Sequence, residues 1–338
     1  MRVLFFGSSR YCLPILQSLK ENFHLICAVT RDNSPIKSFA QTRNIKVNTP
    51  RDKVQLTALA NDFKNLKPDL AIVADYGLII PKEIFEIPKY KTLNIHFSNL
   101  PKYRGPSPVQ YTILHGEKKA GITIFILKQE MDTGDIIWQR GIELSGSETT
   151  ENLYSKLFNI AAKELPNIVS QYTNHRIVPI KQNHSKATYT RLLSRDDGFI
   201  PQDLLNLALK GIRPSKEQIK NWQLINEILQ LPITKYQLPI TIDQTLRAFT
   251  PWPGLWTELT LRHLGGSQMD SPEVERSEKR IVKRLKVLQA HIEPQEPRTK
   301  NRELRTKLIL DQVQLEGKNP VSWKQFKEGY IQSILGDF

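Results

Sequence analysis

Asn94 and His96 stand two positions apart in Thr92-Leu-Asn-Ile-His96, a short stretch with strand character. On a strand, residues i and i+2 project from one face, so both side chains can enter the same cleft. The asparagine carboxamide is a neutral donor of fixed geometry, suited to a developing oxyanion, and an imidazole can give or take a proton near neutral pH. A carboxylate on another loop would orient or charge that ring, and Met131-Asp-Thr-Gly-Asp135 offers Asp132. Taken singly, each residue has an ordinary structural use: a strand-end histidine is commonly a satisfied core or surface group, and Asp before Thr-Gly is a common turn. The joint pattern is what points to acyl or proton-transfer chemistry.

The elements that must position these groups read as a layered α/β domain. Arg2-Val-Leu-Phe-Phe-Gly7 is an apolar run ending in a turn, and Leu13, Leu16 and Leu19 then fall on one helical face. Leu25-Ile-Cys-Ala-Val29 and Asp69-Leu-Ala-Ile-Val-Ala74 repeat the strand signal, which predicts a parallel sheet covered on both faces. Ala120 to Leu127 and Asp135 to Gln139 read as further strands, and a helix is predicted from about Thr150 to Tyr172, opened by Glu151 at a favourable dipole position. The turn Gly7-Ser-Ser-Arg-Tyr11 lacks the second and third glycines that bring a pyrophosphate onto the backbone, so the fold is expected without a dinucleotide.

Beyond this, Pro179 to Ser194 reads as extended, and residues 196 to 240 are Lys-, Gln- and Pro-punctuated with no role legible from pattern. Arg280 to Ala290 and Lys307 to Leu315 alternate like half-buried antiparallel strands, with a mobile charged loop expected from His291 to Thr306. The expected organisation is a catalytic domain over 1–180, a linker over 181–196 and a C-terminal domain over 197–338, with an insertion at about 198–240.

The longer motif is Asn94-x-His96, then Ser98-Asn-Leu-Pro-Lys-Tyr-Arg-Gly105, then Asp132-x-Gly134. It resembles the formyltransferase family that uses 10-formyltetrahydrofolate, whose pattern is Asn-x-His, Ser-Leu-Leu-Pro-x-x-x-Gly and a loop bearing Asp-x-Gly. Asp75-Tyr-Gly-Leu-Ile-Ile-Pro81, Lys102 to Pro108, Met131 to Ile137 and Thr188 to Ser194 extend the likeness. Arg247-Ala-Phe-Thr-Pro-Trp-Pro-Gly-Leu-Trp256 and Gly317 to Phe326 narrow it to the branch that formylates methionine esterified to initiator tRNA. The resemblance implies a Rossmann-like N-terminal formyltransferase domain and a smaller C-terminal OB-like β-barrel.

For the site, the resemblance implies Asn94, His96 and Asp132 as catalytic residues. Asn94 and a protonated His96 would hold the oxyanion, and Asp132 would keep that ring charged and take the amine proton through water. Folate would lie against Gly77, Leu78, Ile80, Ser98, Asn99, Leu100, Pro101 and Met131. Methionyl-tRNA would meet Lys102 and Arg104 beside the cleft and Lys279, Arg280, Lys283, Arg284 and Lys286 in the barrel, with Trp252 and Trp256 in the barrel core. The chain departs from the family at Asn99, which replaces the first leucine of Ser-Leu-Leu-Pro, and in the short, weakly basic stretch Thr30 to Lys37 after the second strand.

Composition agrees with this. The 338 residues carry a net charge of +14, which suits a polyanionic partner, although the basic excess is spread over both halves. Cys12 and Cys27 lie in apolar stretches and are expected to be buried thiols. The seven histidines show no metal-ligand spacing, so no metal is expected. The opening apolar run is too short for a leader or a membrane span, which gives a cytoplasmic expectation, and a monomer is the working expectation for the assembly. Three other readings keep the motif or the charge: formyl transfer to an amino sugar nucleotide or purine precursor, hydrolysis of the same folate to formate, and non-catalytic tRNA binding.

Overall fold

The structure is a computed structural model that describes residues 1–229, 238–262, 280–295, 305–330 and 334. The chain divides into two compact units, Met1–Thr112 with Glu117–Leu192, and Ile113–Gly116 with Leu193–Phe338.

The first unit is built on seven strands: β1 Arg2–Phe6, β2 His24–Val29, β3 Lys46–Asn48, β4 Leu70–Val73, β5 Thr92–His96, β6 Lys119–Ile126 and β7 Ile136–Glu143. Their order is β3-β2-β1-β4-β5-β6-β7. The pairings through β5 are parallel, as the continuous apolar runs predict, while β6 and β7 add antiparallel strands at one edge. Alternation along β1 sorts its side chains: Leu4 and Phe6 join a cluster with Val29, Phe63, Val73 and Tyr76. Val3 and Phe5, fully buried, point to the opposite face by the two-residue period.

The closing helix spans Thr150–Thr173 and starts on a reciprocal capping box between Thr149 and Asn152, which satisfies two backbone donors that the first turn leaves open. Leu153, Leu157, Ala161 and Leu165 recur every fourth residue and are fully buried. Each such leucine is worth about 1.5–3 kcal/mol of burial. This helix packs on Leu13–Asn22, where the Ser18 hydroxyl donates to the Ala162 carbonyl at 2.7 Å. Both cysteines are buried free thiols. Among the described residues no helix is long and apolar enough to cross a membrane.

The second unit contains helices Gln202–Lys210, Lys216–Lys220 and Leu238–Ala248, so much of the stretch without a legible pattern is helical. What the described residues show of the expected barrel is a four-stranded antiparallel sheet: β8 Leu255–Arg262, β9 Arg280–Gln295, β10 Arg305–Leu315 and β11 Val321–Ser322, in the order β11-β10-β9-β8. The two long strands exceed their predicted bounds. His291 to Gln295 and Arg305 to Thr306, expected in a loop, continue the ladder down to Arg305↔Gln295, because paired backbone groups hold the strand form even where side chains are charged. Of the two tryptophans expected in the core, Trp256 is buried and Trp252 is exposed, the latter standing between Pro251 and Pro253 in the turn before β8.

Candidate active site

Strand β5 brings Asn94 and His96 to the same end of the sheet, beside Val73 of β4 and Phe125 and Thr123 of β6. His96 is buried, and its Nε2 lies 2.9 Å from the carbonyl oxygen of Tyr103. A carbonyl only accepts, so Nε2 carries a proton and donates it there. Nδ1 is thereby turned toward Asp132, whose Oδ2 is 3.7 Å away and likewise buried. That spacing permits Coulomb attraction and is too long for a direct hydrogen bond.

The Asp132 loop is held from several sides. Asp132 has φ +52°, in the left-handed region, and its Oδ2 accepts from the Gly105 backbone N–H at 2.7 Å. Gly134 is required by close approach, since a Cβ there would stand 1.6 Å from the Ile126 carbonyl oxygen. The buried amide of Gln182 donates to the carbonyls of Asp132 at 2.9 Å and Gly134 at 2.7 Å. No motif pointed to Gln182: it lies in the stretch read as a linker, and only its position next to the Thr188–Ser194 likeness hinted at proximity.

Asn94, His96 and Asp132 line one cavity of about 380 Å³. Gly77, Leu78, Ile80 and Met131, four of the residues expected to meet folate, line it too. Asp75 and Ile79, within the Asp75–Pro81 likeness but not assigned to the site, line it as well, as do Lys128, Glu130 and Tyr154, which no motif supplied. Burial holds the phenols of Tyr154 and Tyr76 above their ordinary range, with Asp75 adding to the effect at Tyr154.

Ser98, Asn99, Leu100 and Pro101 do not line this cavity. Their turn is anchored to β6 and β7: Thr123 Oγ1 donates to the Ser98 carbonyl at 2.6 Å, and Gln139 Nε2 donates to the Leu100 carbonyl at 3.0 Å. Gly121 admits the turn, for a Cβ there would lie 2.2 Å from the Asn99 nitrogen. These four residues hold the turn after β5 against β6 and β7 and lie outside the lining of this cavity.

The expected tRNA contacts separate in the same way. Arg104 is only 1 % exposed, and its guanidinium is taken up by Gln182, Tyr189 and His184, so it departs from the solvent-facing phosphate contact expected. Lys102 pairs with Glu117 and keeps 45 % of its side chain exposed. Arg280, Arg284 and Lys286 are exposed and share one face of β9 by the two-residue period, whereas Lys283 falls on the other. Arg284 and Lys286 also border a 210 Å³ hollow with Arg195 and Trp256, the Arg284 guanidinium lying 4.9 Å from the Trp256 ring centre. Lys279 lies outside the described residues. Among the described residues, no group of three or more His, Cys, Asp or Glu is arranged to hold a metal ion.

Residues 2–169, which carry this mainly parallel sheet with the buried His96 and Asp132, match the model of the formyl transferase family. The methionyl-tRNA formyltransferase of Alkaliphilus oremlandii is 34 % identical over 224 residues, covering 63 % of this chain and 72 % of its own. That of Roseiflexus castenholzii is 32 % identical over 270 residues, covering 76 % and 75 %. The solved methionyl-tRNA formyltransferase of Clostridium thermocellum superposes with a TM-score of 0.51 at 19 % identity, over 92 % of this chain and 98 % of that one, which speaks to the fold. This chain belongs to the methionyl-tRNA formyltransferase family.

Proposed function

We propose that the chain transfers the formyl group of 10-formyltetrahydrofolate to the α-amino group of methionyl-initiator tRNA, the reaction that prepares the charged tRNA for translation initiation. The observation that carries this reading is that Asn94, His96 and Asp132 border a single cavity. Its lining suits the donor: Leu78, Ile79, Ile80, Leu127 and Met131 offer apolar surface to a reduced pterin, and polar groups stand together at the reacting end. The cavity volume of about 380 Å³ lies in the range of small-molecule sites.

As the amine nitrogen bonds to the formyl carbon, the carbonyl electron pair moves onto oxygen. The Asn94 carboxamide donates to that oxygen, and an imidazolium at His96 assists; one preorganised donor of this kind contributes roughly 3 kcal/mol. Asp132 faces the charge that His96 carries and accepts the proton lost by the amine, through a water molecule. The oxyanion pair then re-forms the carbonyl as the carbon to N10 bond breaks, and N10 keeps the bonding pair and takes the proton that Asp132 accepted from the amine, returned through the same water.

For the acceptor, Lys102, Arg280, Arg284 and Lys286 contact phosphates, which position a nucleic acid without reading its bases. Their exposure and the basic hollow at Arg284 and Lys286 support this. We further infer that the C-terminal sheet belongs to an OB-like barrel, a reading supported by the antiparallel bridge Leu261↔Ile334 on the free edge of β8. The deciding experiment is incubation with formyl-labelled 10-formyltetrahydrofolate and, in parallel, charged initiator tRNA, an amino sugar nucleotide or water alone. Label on the methionyl amine is the expected result, and label confined to the sugar or to formate would replace the proposal.

A further inference from the structure

We infer that Gln182 is the positioning residue that fixes the Asp132 carboxylate against His96, with the buried cation of Arg104 as its anchor. The inference rests on the catalytic assignment of His96 and Asp132. A carboxamide has two donor hydrogens and two acceptor lone pairs, and all four are engaged here. The Nε2 hydrogens go to the carbonyls of Asp132 and Gly134, at 2.9 and 2.7 Å. Oε1 accepts from Arg104 Nε at 3.2 Å and Arg104 Nη2 at 2.7 Å. Gln182 is 6 % exposed and Arg104 is 1 % exposed, so water does not compete for these bonds.

These contacts close a ring through the site. His96 donates to the Tyr103 carbonyl, Arg104 is the next residue, and Gln182 links Arg104 to the Asp132 backbone. Gly105 then ties the same loop to the Asp132 carboxylate. The distance of 3.7 Å between His96 Nδ1 and Asp132 Oδ2 is therefore set by a chain of hydrogen bonds that passes through one amide. The left-handed φ of +52° at Asp132 is a conformation uncommon for side chains other than glycine, asparagine and aspartate, and the bonds to Gly105 and Gln182 hold it there. Arg104 is itself held by Tyr189 Oη and by His184 Nδ1, both at 3.2 Å, and its backbone pairs with Thr188 and Thr190. All of these described partners are neutral, since a His184 Nδ1 that accepts from a guanidinium is unprotonated.

A purely structural role would make Gln182 no more than glue for residues 180 to 190, and Gln182→Glu separates the two. Its carboxylate keeps Arg104, with charge added to the bond, but has no hydrogen for the Asp132 and Gly134 carbonyls and repels both. The expected result is a melting temperature at or above wild type, with kcat for formyl transfer lowered about 10- to 100-fold, as a loop displacement of about 1 Å produces. The KM for 10-formyltetrahydrofolate should stay within about threefold, because Gly77, Leu78 and Ile80 are untouched. The pH profile of kcat/KM should shift with the rate. Gln182→Met, similar in volume and without either set of bonds, is the second arm, assayed at a temperature where circular dichroism shows it fully folded. Wild-type kcat in either folded variant overturns the inference, as does a kcat loss in Gln182→Glu that only tracks a loss of melting temperature. A wild-type protein that forms no formyl-methionyl-tRNA would instead remove the functional assignment, and that control precedes any variant.

Discussion

Gly134→Ala is the smallest covalent change that tests whether the Asp132 loop sets the rate. The added methyl carbon would sit 1.6 Å from the Ile126 carbonyl oxygen, 2.8 Å from its carbonyl carbon and 2.9 Å from Phe125 Cδ2. Two of those atoms are backbone of β6, which pairs on both sides with β5 and β7 and cannot yield alone. An ordinary contact for a Cβ begins at 3.4 Å, so the loop must back away by about 2 Å. Asp132 is two residues upstream and moves with it, which opens the 3.7 Å separation from His96. A misplacement of about 1 Å costs on the order of 10²-fold in rate, or roughly 2.7 kcal/mol of barrier, so kcat/KM should fall by at least that factor. Strain of about 1–3 kcal/mol should lower the melting temperature by several degrees. The assay is initial-rate formylation of charged initiator tRNA beside a thermal melt, with Gly141→Ala as control, where the nearest atom to a new Cβ is Lys119 Cδ at 3.9 Å. Activity within about twofold of wild type would refute the reasoning, because either the loop tolerates a displacement of this size or Asp132 has no part in the step.

Asn94→Ala, His96→Ala and Asp132→Ala should each abolish formyl transfer while leaving the melting curve close to wild type; for Asn94→Ala the loss should be about 10²–10³-fold in kcat, and near-normal turnover by His96→Ala would sink the mechanism. Burial first, with Asp75 adding to it, pushes the Cys12 thiol up to about 12, and burial does the same for Cys27. An unfolded thiol ionises near ~8.5, so the contribution is complete below that pH and is lost as pH rises toward the folded value, by about 1.4 kcal/mol per pH unit and thiol. Urea unfolding from pH 8 to 10 should show this alkaline decline, the decline should lessen in Cys12→Ala and Cys27→Ala, and a decline unchanged in both variants would contradict the burial argument. Affinity for initiator tRNA should weaken steeply with salt, and replacing both Arg284 and Lys286 by serine should reduce the log–log slope by roughly 2 if each neutralises one phosphate; a flat salt response in the wild type would remove the polyanion argument.

How much of this was readable from sequence depends on how local each signal is. β1, β2 and β4 announce themselves as near-continuous apolar runs because a parallel strand covered on both faces is apolar at almost every position, while β5 and β6 show it more weakly through Leu93 and Ile95 and through Ile122, Ile124 and Phe125. β3 did not, since Lys46-Val-Asn48 is short and two-thirds polar, and it is a strand only because it pairs with Cys27 to Val29 at the sheet edge. The juxtaposition of Asn94 with His96 was legible for the same local reason, two residues on one strand. Asp132 could be proposed only through its motif, because nothing in 35 intervening residues encodes a distance of 3.7 Å.

Adjacency along the chain does not amount to adjacency in the cleft. Ser98 to Pro101 follow His96 after one residue, yet they do not line its cavity. A bare glycine on β6 is the reason, since Gly121 lets that turn approach the sheet, where Thr123 and Gln139 bind its carbonyls. Arg104 reads as a surface cation beside a cleft, yet it is enclosed by Gln182, His184 and Tyr189, which come from about eighty residues later in the chain. Charge marks a phosphate contact only where the side chain reaches solvent, and burial is decided by tertiary neighbours. Near this site, therefore, the residues that touch substrate are marked by type and local spacing. The residues that hold them are amides and cations from remote segments, and only the folded chain brings them to bear on Asp132.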